Sequence, residues 1–301
     1  MFVVPIWPGD TALRTVREQD DAVGRRAGAS RPLLRRPPAP GEPMNPGRTE
    51  APNPQEGHYE RIHDAYAAHY YDASSLEYRR RFVLEPLCAG LALANKRVAD
   101  LACGSGHNSR LLQGMYPGLR LEGFDLSARA CVDYARNVGA PAHKVDLTRP
   151  FEHGAGFDAA LIMGGLHHCV TDLGATLANI ARMLKPGGVL LLWEPNARSF
   201  LEACRRYWYR RDRYFEPGTE AALDARDLIA QAGGRFVAKR VVYHGGPAYF
   251  LICNSLVLRV PLRLKPVLSP PLFWLERAWN AVPVPAAHAT FMAVWERTDQ
   301  G

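Results

Sequence analysis

Four carboxylates, four small residues and one histidine pair carry the chemistry that can be read from this sequence. The segment Asp100-Leu101-Ala102-Cys103-Gly104-Ser105-Gly106 follows a short apolar run. Glycine permits tight turns and lets a ligand approach the main chain closely. Asp125, nineteen residues after Gly106, ends the run LEGFD. An acid at the tip of a second strand accepts hydrogen bonds from vicinal ribose hydroxyls. Asp146 ends a third run, KVD, with Leu147 beside it. Acids at three successive strand tips, with glycines between them, describe a nucleoside pocket. The spacing D-x-A-x-G-x-G has no GK[S/T] after it, which excludes a P-loop. Downstream, Gly164 precedes the pair His167-His168, and Glu194 closes a further apolar run. Histidine and carboxylate are the usual groups for removing a proton from a substrate hydroxyl. The competing reading of the histidines is packing at a strand-to-helix turn. That of Glu194 is holding a loop. His107, next to the glycines, reads as a helix cap, and Asp158, at the start of its run, as structural. Cys169 is a conceivable nucleophile, but no proline-cysteine pair accompanies it.

The elements that must position these residues are short apolar runs alternating with helical patterns. The runs are 97–103, 119–125, 142–147, 157–165 and 188–195, and the helical patterns fall at 107–115, 127–138 and 172–184. This alternation argues for an α/β fold with a doubly wound parallel sheet. Two late strand candidates, 235–244 and 289–298, flank an apolar, proline-broken insert at 247–281. Ahead of the first run, Tyr59, Ile62, Tyr66 and Tyr70 share one helical face, and a second segment carries Tyr78, Phe82 and Leu87.

The chain has 301 residues, of which the first 56 hold ten of the 24 prolines. That stretch shows no apolar period and reads as a disordered extension, with Met44 as a candidate alternative start. The remainder, 57–301, is the length of one domain: a helical lid at 57–93, a ligand-binding core at 94–195 and a substrate side at 196–301. No apolar run approaches the ~20 residues that span a bilayer. The six cysteines form no CxxC pair and no zinc spacing with histidine, so no metal is expected. They read as reduced thiols of a cytoplasmic protein. The net charge is +7, and residues from Asn196 onward carry 15 Lys+Arg against nine Asp+Glu. The basic excess therefore belongs to the substrate side.

The motifs DLACGSG, GFD-LS, KVD-L, FDAALIMGGLHH and LKPGG-LLLWEP resemble those of the class I S-adenosylmethionine (SAM)-dependent methyltransferases. The resemblance covers roughly 57–195 and the two late strands. It implies a Rossmann-like sheet, mostly parallel, that ends in an antiparallel hairpin. It further implies that Asp100 steadies the loop and reaches toward the methionine ammonium, and that Gly104 and Gly106 pass the main chain along the methionine and ribose. Asp125 would bind the ribose, Asp146 the adenine amino group, and Leu126 and Leu147 the faces of the adenine. Gly164 would face the sulfonium. Ala102 stands where that family usually has the first glycine of its loop. The leading helix of such proteins lids the cofactor, often through a tyrosine and an arginine. Tyr59, Tyr66, Tyr70, Arg79, Arg80 and Arg81 are available, although a buried tyrosine stripe and a solvated arginine face is the plainer reading.

The resemblance leaves the acceptor open. Methyl transfer from a sulfonium is an in-line displacement, so the protein chiefly aligns the acceptor. Strand four ends in MGGLHH and not in D/N-P-P-Y, which weighs against nucleic-acid N-methylation. The run RRYWYRRDRYFEP (205–217) weighs the other way, because arginine beside aromatics stacks on bases. It equally suits a membrane interface. The apolar insert favours a hydrophobic or lipid-linked acceptor. The reading is therefore O-methylation of a small or lipid-linked metabolite, with His167 or His168 assisting and peripheral contact with the inner membrane surface. The alternatives are a nucleic-acid methyltransferase and a non-catalytic SAM-binding partner protein.

Overall fold

Seven strands form a single sheet in the order β3-β2-β1-β4-β5-β7-β6. They are β1 (Arg97–Leu101), β2 (Arg120–Asp125), β3 (Ala142–Lys144), β4 (Phe157–Met163), β5 (Leu184–Pro195), β6 (Phe236–His244) and β7 (Thr290–Arg297). β1 to β5 pair in parallel, whereas β7 runs antiparallel between β5 and β6. This is the mixed, Rossmann-like sheet expected from the sequence. The computed structural model describes residues 69–151, 153–154, 156–202 and 221–299, all within the unit 51–301. The proline-rich extension, Tyr59, Ile62, Tyr66 and the run 205–217 lie outside the described residues.

Side chains alternate across the strands into two cores, as the two-residue period requires. Val98, Ala159, Leu161, Leu191, Met292 and Val294 face one core, which they share with Leu112, Tyr134, Ile252 and Phe273. Ala99, Leu101, Ala160, Ile162, Leu190, Leu192 and Trp295 face the other, with Leu177, Ile180 and Leu228. Strands buried on both faces read as continuous apolar runs, which is why they were legible.

The helices are α1 (Ala73–Arg79), continued through a π-helical turn at Arg80–Leu84 into α2 (Glu85–Cys88); then α3 (His107–Met115), α4 (Ala128–Val138), α5 (Leu173–Met183), α6 (Ala225–Gln231), α7 (Ser255–Leu258) and α8 (Lys265–Asn280). Side-chain caps start four of them: Asp72, Ser127, Asp172 and Asp224 each accept a backbone N–H of the first turn. The insert between β6 and β7 contains α7, α8 and a π-helical turn at Tyr249–Cys253. α8 carries Pro270 and Pro271 in its interior. None of the described helices is long and apolar enough to cross a membrane.

Candidate active site

The strand order reverses between β1 and β4, and ligands of such sheets sit at the carboxyl ends beside that reversal. The loop leaving β1 turns tightly there. Ala102, Gly104 and Gly106 all have left-handed backbone, with φ of 50°, 52° and 79°. For alanine that conformation costs roughly 1 kcal/mol, so the loop keeps its shape even where the family's usual glycine is missing. A Cβ added at Gly104 would meet only the Tyr71 hydroxyl, at 3.9 Å. One added at Gly106 would collide with Val138 at 2.3 Å and Tyr134 at 2.8 Å. Gly104 thus leaves room above the loop, and Gly106 lets the loop seat against α4.

Asp125 closes the cradle. Its carboxylate accepts the Gly104 N–H at 2.8 Å and the Ser127 N–H at 2.9 Å. Asp100 lies beneath the loop, only 2% exposed, and accepts the Ser109 hydroxyl at 2.7 Å. Ser109 Oγ also lies 2.9 Å from the Tyr134 hydroxyl. Burial pushes the Asp100 carboxyl up to about 7; the Ser109 bond opposes this and the nearby Asp125 charge adds to it. Two carboxyls that repel each other across a glycine loop suit a cationic ligand. SAM carries both an ammonium and a sulfonium, and its ribose suits Asp125, so the residues present fit this cofactor.

Of the other proposed cofactor residues, Asp146 lies two residues beyond the end of β3. Its carboxylate accepts from the backbone and hydroxyl of Thr148, at 3.0 and 2.6 Å. Leu126 is half-buried at the rim, whereas Leu147 is buried in the core on the α5 side. Gly164 has a φ of 72° and donates its N–H to Trp193 O at 2.8 Å; a Cβ there would lie 3.7 Å from His167 Cε1.

The histidine pair separates into two unequal members. His167 Nδ1 lies 2.8 Å from Glu194 Oε2. Glu194 is 1% exposed and also accepts the backbone N–H groups of Gly165, Leu166 and His167, at 3.0, 2.8 and 3.3 Å. One carboxylate therefore holds the whole turn after β4 and orients the imidazole. Burial pushes its pKa up to about 8, against the pull of those three N–H groups. Whichever of the two carries the proton, Nδ1 is tied to Glu194. The His168 ring lies 3.9 Å from that of His167.

The structure changes two further readings. His107 is not a side-chain cap: Gly106 occupies the cap position, and the His107 ring stacks on Tyr71 at 4.3 Å. Arg79 does not belong to a solvated face. It is 4% exposed, with its guanidinium 5.0 Å from the Tyr71 ring and 5.2 Å from the Trp193 ring, whereas Arg80 and Arg81 pair with Glu77 at the surface. Tyr71 and Trp193 were not singled out in the sequence. Only the tertiary packing that sets Arg79 against both rings brings them together. Cys169 is buried and its thiol is pushed up to about 12 by that burial, which removes it as a nucleophile. Asp158 has the structural role expected, accepting the Arg97 N–H at 2.9 Å and the Lys185 ammonium at 2.8 Å.

Residues 98–188 match the family model of a methyltransferase domain. A demethylmenaquinone methyltransferase of Thermus thermophilus is 32% identical over 127 residues, 40% of this chain and 55% of that protein; the match thus spans about half of that relative's length. Among solved structures, the [4+2]-cyclase SpnF superposes with a TM-score of 0.56 at 16% identity, over 81% of this chain and 95% of that one. A proposed sarcosine dimethylglycine methyltransferase of Galdieria sulphuraria gives 0.53 at 14% identity, over 80% and 98%. At these identities the structural likeness establishes the fold. The region 98–188, with the cradle at the tips of β1 and β2, is similar to methyltransferase domains.

Proposed function

We propose that the protein transfers the methyl group of SAM to a hydroxyl of a small or lipid-linked metabolite. The observation that carries this reading is the His167–Glu194 pair at the rim beside the cradle. Asp125 and the Gly104 main chain hold the ribose end, and Asp100 acts from beneath on the cationic end. Arg79, Tyr71 and His107 close the site from above. When bound, the cofactor supplies an activated methyl group. Nε2 of His167 would take the proton of the acceptor hydroxyl, and the cofactor would supply the methyl group and leave as the neutral thioether. Glu194 would hold the imidazole in position through Nδ1.

Two observations support a hydrophobic or lipid-linked acceptor. The insert presents Leu258, Leu262, Leu264, Val267 and Trp274 to the surface, with Val267 and Trp274 the most exposed at 74% and 71%. These two lie seven residues apart on α8 and so share a face. The matched relative is itself a demethylmenaquinone methyltransferase. Incubation with labelled SAM and cell extract tests the proposal. Label in the small-molecule or lipid fraction, in an alkali-stable ether, supports it. Label in nucleic acid, or none in any fraction, overturns it.

A further inference from the structure

A second cluster of metal-ligating side chains lies on the sheet face opposite Asp125, outside the site described above. Glu122 of β2, His143 of β3 and His153 of the segment before β4 bring one ligand atom each to within 4.8 Å of one another. His153 Nε2 is 3.1 Å and His143 Nε2 3.7 Å from the same oxygen, Glu122 Oε2. Donors bound tetrahedrally to zinc at about 2.0–2.1 Å are separated by about 3.3 Å, so the two spacings bracket that value without a metal in place. The other oxygen, Oε1, is held by Arg97 Nε at 2.9 Å and Nη2 at 2.8 Å. That leaves Oε2 to act as a one-oxygen ligand and fixes the plane of the carboxylate, as hydrogen bonds to a ligating carboxylate commonly do.

The imidazoles are oriented as well. Both pack on Phe124, His143 stacked at 5.2 Å and His153 edge-on at 4.6 Å. His143 Nε2 is buried and has no hydrogen-bond partner, and a buried polar nitrogen without one is costly. A metal ion would satisfy it. We propose that His143 Nε2, His153 Nε2 and Glu122 Oε2 form a three-ligand site for a divalent transition-metal ion, with Zn²⁺ the best-fitting occupant and water at the fourth position. Two imidazoles and one carboxylate form a borderline donor set that suits Zn²⁺ and not the all-oxygen ions Mg²⁺ and Ca²⁺. His153 also lines an open cleft of about 950 Å³ with Gly154, Asn179, Arg182 and Arg297. The ion would tie the edge strand β3, only three residues long, and the segment before β4 to β2.

The test uses the full chain, free of any histidine tag and stripped with a chelator. Titration with Co²⁺ is expected to show one equivalent bound, with the intense visible bands of a tetrahedral ion. His143→Gln and His153→Gln are each expected to weaken Zn²⁺ binding by about 100-fold or more while leaving SAM affinity unchanged. Zn²⁺ is expected to raise the melting temperature of the wild type and not of either variant. Circular dichroism of the stripped proteins shows whether the variants fold. If a variant does not fold, the Co²⁺ spectrum of the wild type decides alone. Wild-type protein that takes up no Co²⁺, or takes it up without tetrahedral bands, overturns the proposal, as do folded variants with wild-type Zn²⁺ affinity.

Discussion

The cofactor cradle and the cap over the acceptor side are built on opposite plans. The cradle is local: seven residues of loop, one strand-tip acid and the first turn of a helix, joined chiefly by backbone donors on Asp125. The cap is assembled from segments nearly two hundred residues apart, and its joints are buried side chains. Lys265, fully buried at the start of α8, donates to Asp72, to Ser75 Oγ at 2.7 Å and to His69 O at 2.8 Å. Tyr78 donates to Glu276 Oε1 at 2.7 Å, and Glu276 also accepts the N–H groups of Gly246 and Ala248, each at 2.9 Å. Tyr70 donates to Asn254. Backbone cradles depend on chain geometry and tolerate variation in side chains. A cap held by buried polar pairs fixes one arrangement of the insert, because each pair left unmade costs the desolvation of its members.

Four experiments sharpen that contrast, and the largest effect is expected at the turn after β4. His167→Ala is expected to lower turnover by about 10²–10⁴-fold with SAM affinity within about twofold of wild type, measured by single-turnover kinetics and calorimetry. His168→Ala should stay close to wild type. Equal losses in the two variants would end the assignment of His167 as the proton acceptor. Within the cradle, Asp125→Ala removes the acceptor of two N–H groups and the ribose contact. SAM affinity should fall by about 100-fold, since charge-assisted hydrogen bonds contribute about 1.5–3 kcal/mol each; unchanged calorimetric affinity would break the cradle assignment. Within the cap, Lys265→Met leaves Asp72 without its cation. Buried pairs broken on one side cost about 3–5 kcal/mol. Asp72 keeps its bonds to the Ser74 and Ser75 N–H groups and remains partly exposed, so urea unfolding should show a loss of about 2–3 kcal/mol. Adding Asp72→Asn should recover part of it.

The fourth experiment reads the pH dependence of stability, to which the cradle contributes through Asp100. The Asp100 carboxyl titrates near 7 in the folded chain and near 3.8 when unfolded. Between those values the folded chain binds the extra proton, so stability is greatest below about pH 4 and declines as pH rises toward 7. His244, in contrast, is buried and lowered to about 3, chiefly by that burial. The unfolded chain then binds the extra proton, and stability falls as pH drops below 6.5. Glu194, whose carboxyl is raised to about 8, adds a decline of the same sign. Urea midpoints across pH 4–8 should therefore fall less steeply toward alkali in Asp100→Asn and keep the loss on acidification; an unchanged slope would end the Asp100 assignment.

How much could be read in advance follows the same division. All seven strands and the helices α3, α4 and α5 were legible, because their apolar periods are set by burial against a sheet covered on both faces. The tight turn after β1 was legible because the loop is contiguous and its geometry is written in small residues. Glu194 was left between two roles. The choice needed the distance from β5 to the turn after β4, and the structure makes it a clamp on that turn and on His167. Arg79 was set down as surface because it stands beside two arginines that are. Helical spacing alone does not say which of three consecutive residues a neighbouring strand covers.

The sequence by itself determined the order and type of the elements, the strand-tip acids and the left-handed loop. Each of these depends on residues within a turn or a strand length of one another. Only the tertiary structure decided that His167 and not His168 meets a buried carboxylate, and that Arg79 lies between Tyr71 and Trp193. It alone showed that the apolar insert is locked to the leading helix by Lys265 and Glu276, and that Glu122, His143 and His153 converge. Those relations join residues up to nearly 200 positions apart. Loop closure over such spans is fixed by the packing of the whole sheet and its helices, and no local pattern records it.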